Sequence, residues 1–285
     1  MFLNRGKRIA TIQDISGFGK CSLTVALPII SACGIEACAI PTALLSTHMG
    51  GLGRNTYKDL TDEIMPIAKH WSMLNLHFDA LYSGFLGSYK QIEIVSQVFD
   101  MLKSSDTLVA VDPCMADNGK LYKLYDEEMV EGMKLLCRKA DVLTPNLTEG
   151  FMLLNEEYKS ALNIKEVKAM IRKLADFGCK YIVITGVNID DSLGVACYDR
   201  KNERFNFFGM PKIGISYHGT GDIFASVLIS GLVKGINLEE SALAAVKFCY
   251  QSIKRTFEMN IDERFGVNFE EFLPKINSVL NGNDF

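Results

Sequence analysis

A three-layer α/β fold around a mostly parallel central sheet is predicted from three observations. Short β-rich runs alternate with longer segments of helical period. Polar and glycine residues gather directly behind the runs, at the edge where open parallel sheets bind ligands. A chain of 285 residues has room for one domain of this class spanning 1–285, with a small excursion at about 45–57.

The elements follow in order. Strands are predicted over residues 8–13, 37–44, 80–83, 108–112, 142–143 and 181–185, each rich in apolar and β-branched residues. Helices are predicted between them at 22–33, 61–69, 89–102, 126–137, 148–154 and 164–177, where apolar residues recur three and four positions apart. Two late runs, 192–199 and 204–210, read as an antiparallel pair joined around Arg200, Lys201 and Asn202. They extend one sheet edge and deliver the chain to a glycine-rich turn. An apolar helix follows that turn, and a last long helix over 238–257 lays Ala242, Ala245, Val246, Cys249 and Ile253 on the core.

Composition removes several classes of function. The net charge is −4 and the basic residues are scattered, so no field exists for wrapping nucleic acid. The eight cysteines, at 21, 33, 38, 114, 137, 179, 197 and 249, form no CxxC pair or other metal-ligand spacing and read as reduced, mostly buried side chains. The polar stretch from Met1 to Arg8 does not read as an export signal, and no apolar run approaches the roughly 20 residues of a membrane span. A cytoplasmic setting is expected.

The richest motif is Tyr217-His218-Gly219-Thr220-Gly221-Asp222, running into Ile223-Phe224-Ala225-Ser226-Val227-Leu228-Ile229. Two glycines flanking a hydroxyl residue let backbone N–H groups and the positive helix end face one small volume beside a carboxylate. That arrangement suits phosphoryl transfer to an alcohol: the amides of Gly219, Thr220 and Gly221 neutralise the phosphate while Asp222 takes the proton. A capped, buried helix is the alternative for the motif alone.

Six further loops carry similar chemistry. The first strand is followed by Asp14-Ile15-Ser16-Gly17-Phe18-Gly19, the second by Ser46-Thr47-His48-Met49-Gly50-Gly51, and the third by Gly84-Phe85. Asp112-Pro113-Cys114-Met115-Ala116-Asp117 and Thr144-Pro145-Asn146-Leu147-Thr148-Glu149 come next, and then Thr185-Gly186. Asn146 and Glu149 stand one helical turn apart, so both can organise a magnesium ion through its water shell. Plain alternatives stay open: helix caps at Asp14, Ser16, Thr148 and Glu149, a turn at Asp117, a surface histidine at His48 and a core ring at Phe85.

Taken together, these residues resemble the ribokinase-like superfamily and, within it, the vitamin B6 kinases. Gly219-Thr220-Gly221-Asp222 is similar to that group's anion hole and catalytic base. The segment from Asp112 to Asp117 resembles its Asp-Pro-Val-Met-Gly-Asp, with Cys114 and Ala116 as departures, and Thr144 to Glu149 resembles its Thr-Pro-Asn-x-x-Glu magnesium segment. The opening at Asp14 looks more like the hydroxymethylpyrimidine kinases of thiamine synthesis. Those enzymes generally carry cysteine where this chain has Asp222.

The resemblance implies a ribokinase-like α/β/α fold with a lid at about 45–57. It further implies ATP-dependent phosphorylation of the 5'-hydroxymethyl group of pyridoxal, pyridoxamine or pyridoxine. Asp14, Ser16, Thr47, His48 and Phe85 would then hold the heterocycle, and Asp112, Asp117, Asn146, Glu149, Thr185, Gly219 and Gly221 the nucleotide. Asp112, Asn146 and Glu149 would serve magnesium, with potassium left open as an assistant, and the chain would form a homodimer. The family would place the adenine at the 212–215 loop and the last long helix. Hydroxymethylpyrimidine kinase is the alternative, a sugar or nucleoside kinase of the same superfamily comes third, and a nucleotide-binding regulator without turnover is the rival from another class.

Overall fold

The computed structural model describes residues 6–283 and Phe285. Met1 to Arg5, part of the polar leader, lie outside the described residues. In chain order the elements are β1 (Arg8–Ser16), α1 (Leu23–Ala32), β2 (Glu36–Leu45), β3 (Tyr57–Asp59), α2 (Thr61–Met73), β4 (Ala80–Ser83), α3 (Tyr89–Leu102) and β5 (Leu108–Val111). A small hairpin of β6 (Ala116–Asp117) and β7 (Lys120–Leu121) follows, then α4 (Glu127–Cys137), β8 (Val142–Leu143), α5 (Leu147–Leu153), α6 (Ile164–Ala175), β9 (Tyr181–Ile189), β10 (Ser192–Asp199) and β11 (Arg204–Pro211). Helices α7 (Thr220–Val233) and α8 (Leu238–Glu258), two 3-10 turns (Glu263–Phe265 and Glu270–Lys275) and α9 (Ile276–Leu280) complete the described chain.

Nine strands form one sheet in the order β11-β10-β9-β8-β5-β4-β1-β2-β3. The six central strands, β9 to β2, run parallel, and β3, β10 and β11 pair antiparallel. Both faces of the parallel strands are covered, which explains why they read as continuous apolar runs rather than alternating ones. Ile12, Leu81, Val111, Leu143 and Ile182 point to one face, under Ile64, Phe99, Met133 and Ile171 of α2, α3, α4 and α6. Ile9, Tyr82, Ala110, Val142 and Val183 point to the other, under Ile29, Leu228, Phe248 and Leu280 of α1, α7, α8 and α9. Helix α7 is buried nearly all round, with only its ends reaching the surface.

Local chemistry fixes the helix starts. Ser88, Asp126 and Asn237 each accept a first-turn N–H at the head of α3, α4 and α8, and Asn163 with Glu166 closes a capping box on α6. Ends were less legible. Helix α2 continues past the expected residue 69 to Met73, because nothing breaks it before Asn75 turns left-handed at φ 52°. Helix α6 stops at Ala175, two residues short of the expected 177, and Gly178 follows at φ 100°. Strand β9 passes the expected 185 and reaches Ile189, since β10 continues to pair with it through Gly186. Strand β1 passes 13 to reach Ser16, still paired to β2 across an irregularity between Gln13 and Ile15. That extension carries Asp14 and Ser16 to the sheet's carboxyl edge. The three exposed residues of β3 gave no apolar signal and were not expected. The expected lid is the connection 46–56 between β2 and β3.

The single tryptophan, Trp71, has its ring 5.3 Å from that of the fully buried Phe78. Replacing Phe78 with Ala should cost about 3–5 kcal/mol, the usual loss for a phenylalanine removed from a packed core. Urea unfolding followed by Trp71 fluorescence measures it; a loss under about 1 kcal/mol would contradict close packing at this corner.

Candidate active site

The start of α7 supplies the anion-binding geometry. Gly219 caps the helix at φ 79°, and a methyl group there would stand 2.0 Å from the Lys20 carbonyl oxygen, so both the conformation and the close approach require glycine. The first helical bond runs from Ile223 N to Gly219 O at 3.1 Å. The N–H groups of Thr220, Gly221 and Asp222 therefore lie ahead of the helical ladder at the positive end of the helix.

Asp222 sits in that first turn, partly buried, with Oδ2 accepting the Ser22 N–H at 2.9 Å. Desolvation pushes its pKa up to about 7; the Ser22 N–H works against the shift and the nearby Asp14 charge adds to it. A carboxylate poised near neutrality suits a general base. Ser22 also donates its hydroxyl to Asp14 Oδ1 at 2.5 Å, while Ser16 donates to Asp14 Oδ2 at 2.9 Å. One residue thus links the loop after β1 to the carboxylate on α7. Its backbone is left-handed, φ 57°, which is uncommon for serine. Sequence reasoning placed Ser22 at a helix start and missed this tie, which joins positions 200 residues apart.

Asp112 closes the other side. Its Oδ2 lies 3.9 Å from where a side chain at Gly221 would begin, so Gly221 keeps the space between carboxylate and helix open. Burial raises the Asp112 pKa well above the usual range, and Glu149 and Asp222 push the same way. Glu149 and Asn146 form a capping box on α5: Asn146 Oδ1 accepts Glu149 N at 3.0 Å and Glu149 Oε2 accepts Asn146 N at 2.8 Å. Glu149 Oε1 further accepts Met115 N at 2.9 Å, and Asn146 Nδ2 donates to Ala116 O at 2.7 Å. The helix-start alternative and the shared-site expectation therefore coexist, because the box pins α5 to the loop behind Asp112. Burial lifts Glu149 to about 7, opposed by its backbone donors.

Asp117 turns both oxygens onto Asn118 N (2.8 Å) and Nδ2 (3.0 Å) within the β6–β7 hairpin. Thr148 accepts Gly119 N at 3.0 Å and fastens that hairpin to α5. Thr185 lies beside Asn146 on β9, its N–H on Pro145 O at 2.9 Å. Thr47 Oγ1 is buried with no partner, which leaves it available to a ligand. The His48 ring is fully engaged: Nδ1 accepts Gly50 N at 2.9 Å and Nε2 donates to Arg264 O at 2.7 Å. His218 lies 4.7 Å from it, ring to ring, and is held below the ordinary histidine range by desolvation and by His48. Phe85 is 6 % exposed and packs on Tyr125 at 6.1 Å; nearly all of its surface serves the core, where a stacking wall was expected.

Among the described residues, Asp14, Asp112, Glu149 and Asp222 take part in no ion pair. The neighbouring buried carboxylates Asp112 and Glu149 thus form an oxygen-rich, uncompensated negative surface that fits a hard divalent cation. No group of three or more His, Cys, Asp or Glu among the described residues closes into a metal cage, so such a cation would be held largely through water and phosphate.

The fold and site define a class: an α/β protein whose sheet edge brings together the unbonded N–H groups of a helix start, an up-shifted carboxylate and a buried acidic pair. The chain belongs to the phosphomethylpyrimidine kinase family, whose profile matches residues 26–267. It is 41 % identical, with a TM-score of 0.94, to a Bacteroides thetaiotaomicron protein provisionally named a phosphomethylpyrimidine kinase, covering 97 % of this chain and 96 % of that one. That protein was also crystallised in an orthorhombic form with pyridoxal, and the match there is 40 % identical with a TM-score of 0.92 over 96 % of each chain. Pyridoxal kinase from Lactobacillus plantarum is 29 % identical with a TM-score of 0.89, over 98 % of this chain and 99 % of that one. Hydroxymethylpyrimidine/phosphomethylpyrimidine kinase of Aquifex aeolicus is 28 % identical over 78 % of this chain and 85 % of its own.

A pH-dependent stability follows from Asp222. Its folded pKa of about 7 lies above the ordinary aspartate value of 3.8, so the stability present at low pH is lost as pH rises from about 4 through about 7. Replacing Asp222 with Asn removes that loss. The variant should gain on the wild type by about 1–3 kcal/mol between pH 5 and pH 8 in urea unfolding; a gap that stays constant or narrows would place Asp222 in ordinary solvent.

Proposed function

We propose that this chain transfers the γ-phosphoryl group of ATP to the 5'-hydroxymethyl oxygen of pyridoxal and its B6 vitamers. The observation that carries the reading is Asp222, raised toward neutrality at the head of α7 beside free N–H groups. The nearby orphaned Thr47 hydroxyl and the Ser16, Asp14 and Ser22 chain offer polar contacts for a heterocycle. A protein 40 % identical that crystallised with pyridoxal supports the same substrate class.

The substrate hydroxyl lies between Asp222 and the γ-phosphate. Asp222 accepts the proton as the oxygen forms its bond to phosphorus, and the bond from phosphorus to the β,γ-bridging oxygen breaks to release ADP. The N–H groups of Gly219, Thr220, Gly221 and Asp222 hold the equatorial oxygens. Asp112, Asn146 and Glu149 would hold magnesium through its waters; when bound, it supplies neutralisation of phosphate charge. Thr185 adds a phosphate contact, and Asp117 supports the hairpin behind it. The 46–56 lid excludes water, which would otherwise compete as acceptor.

Adenine is assigned to a cavity of about 220 Å³ bordered by Met210, Lys247, Tyr250, Gln251 and Phe285. It lies against α8, with Met210 two residues ahead of the 212–215 loop, and α8 reaches the anion hole where Cys249 Sγ meets Thr220 O at 3.8 Å. Homodimerisation and a cytoplasmic location are part of the same proposal.

The second reading, hydroxymethylpyrimidine kinase, is favoured by the family match and by the Aquifex relative. Parallel ATP assays with pyridoxal, pyridoxamine, pyridoxine and hydroxymethylpyrimidine separate the two; a B6 vitamer should be preferred by at least about tenfold in kcat/KM, and the reverse order would transfer the assignment. Asp222→Asn should lower kcat by about 10²–10⁴ with the fold retained. Near-normal turnover in that variant would remove the base. Glu149→Gln should raise the magnesium concentration for half-maximal rate several-fold, and an unchanged titration would confine Glu149 to its cap.

A further inference from the structure

Behind α8 the chain does not leave the site. Residues 262–269 pass between three loops that carry candidate residues: 17–22 after β1, the 46–56 lid, and the 217–222 turn. Asp262 folds this strap by accepting the Arg264 N–H at 2.9 Å and its Nε–H at 2.8 Å. The Arg264 carbonyl accepts the His48 Nε2–H at 2.7 Å, and its Nη1 donates to the Gly51 carbonyl at 3.5 Å. The Glu263 carbonyl accepts His218 N at 3.5 Å, one residue ahead of Gly219. Gly266 packs so closely that a methyl group there would stand 2.4 Å from the Gly19 carbonyl oxygen.

Two further contacts tie the strap to the Asp14 loop. Lys20 donates to Asn268 Oδ1 at 2.6 Å and pairs with Glu270 at 2.9 Å. Phe265 meets Phe18 edge to face at 5.3 Å. Phe265 is 42 % and Phe18 49 % exposed, so the pair stands at the surface. The lid itself bonds to the same loop, through His48 N on the Phe18 carbonyl at 3.3 Å.

We infer that Arg264 and Phe265 are positioning residues for the heterocyclic substrate: the Arg264 guanidinium, on the Gly51 carbonyl and on Asp262, keeps its own carbonyl under His48 and so holds the lid shut, and Phe265 roofs the seam beside the Asp14 loop. They touch neither the anion hole N–H groups nor Asp222, so they act on the acceptor side of the reaction. The inference rests on the proposed vitamin kinase reading only for the identity of that acceptor. The lid contact itself is independent of it.

Hydrogen exchange and steady-state kinetics on the full chain test this. In Phe265→Ala and Arg264→Ala, exchange of the 46–56 amides should accelerate by about tenfold or more, with the amides of β4 and β5 unchanged. KM for pyridoxal should rise by about tenfold while KM for ATP stays within about twofold. Lid exchange at the wild-type rate in both variants overturns the inference, as does a joint loss across lid and sheet or a parallel rise in both KM values. Phe265→Leu, which keeps the apolar volume, should restore lid protection more fully than KM; should Phe265→Ala not fold, Phe265→Leu and Arg264→Lys carry the same exchange and KM comparisons. If the wild-type chain phosphorylates no B6 vitamer, the functional reading fails while the exchange measurement still decides whether the strap holds the lid.

Discussion

Desolvated negative charge is the constraint around which this sheet edge is organised. Asp14, Asp112, Glu149 and Asp222 collect there with no ion pair among the described residues to offset them. Each is held instead by neutral donors: Ser16 and Ser22 on Asp14, the Cys114 N–H on Asp112, the Ser22 N–H on Asp222, and three backbone N–H groups on Glu149. Neutral donors offset part of the burial penalty without cancelling charge. The penalty that remains shows in the raised pKa of Asp14, Asp112, Glu149 and Asp222.

That constraint accounts for the loop geometry. Ser22 must turn left-handed to offer its N–H to Asp222 and its hydroxyl to Asp14 together. Cys114 takes a left-handed turn as well, at φ 41°, next to the Met115 N–H that reaches Glu149. Strain of this kind persists only where surrounding structure over-determines it. Here Gly219 against Lys20 and the capping box on α5 supply that determination. The 46–56 connection, residues 262–269 and the 217–222 turn then meet at His48 and His218.

Much of this was legible in the chain. Parallel strands need cover on both faces, so their apolar runs stood out, and the helices between them showed a 3.6-residue period. The polar residues behind each run fell on one edge, because parallel strands all end on the same side. Glycines at 219 and 221 announced a close approach, and Asn146 with Glu149 announced a helix start. The end of α2, the added turn of β9 and the short β3 were hidden, since none has a breaker or an apolar pattern of its own.

The order of the parallel strands and their helices, the class of fold and the glycine turn at 219–221 were determined by sequence alone, since each depends on local periodicity or on residues adjacent in the chain. The tertiary structure decided what joins distant positions: Ser22 bridging Asp14 to Asp222, Phe85 packed into the core, and His48 bonded to the Arg264 carbonyl of the strap. A hydrogen bond or a close contact between residues 200 apart leaves no trace in spacing, because folding alone brings those atoms within bonding distance.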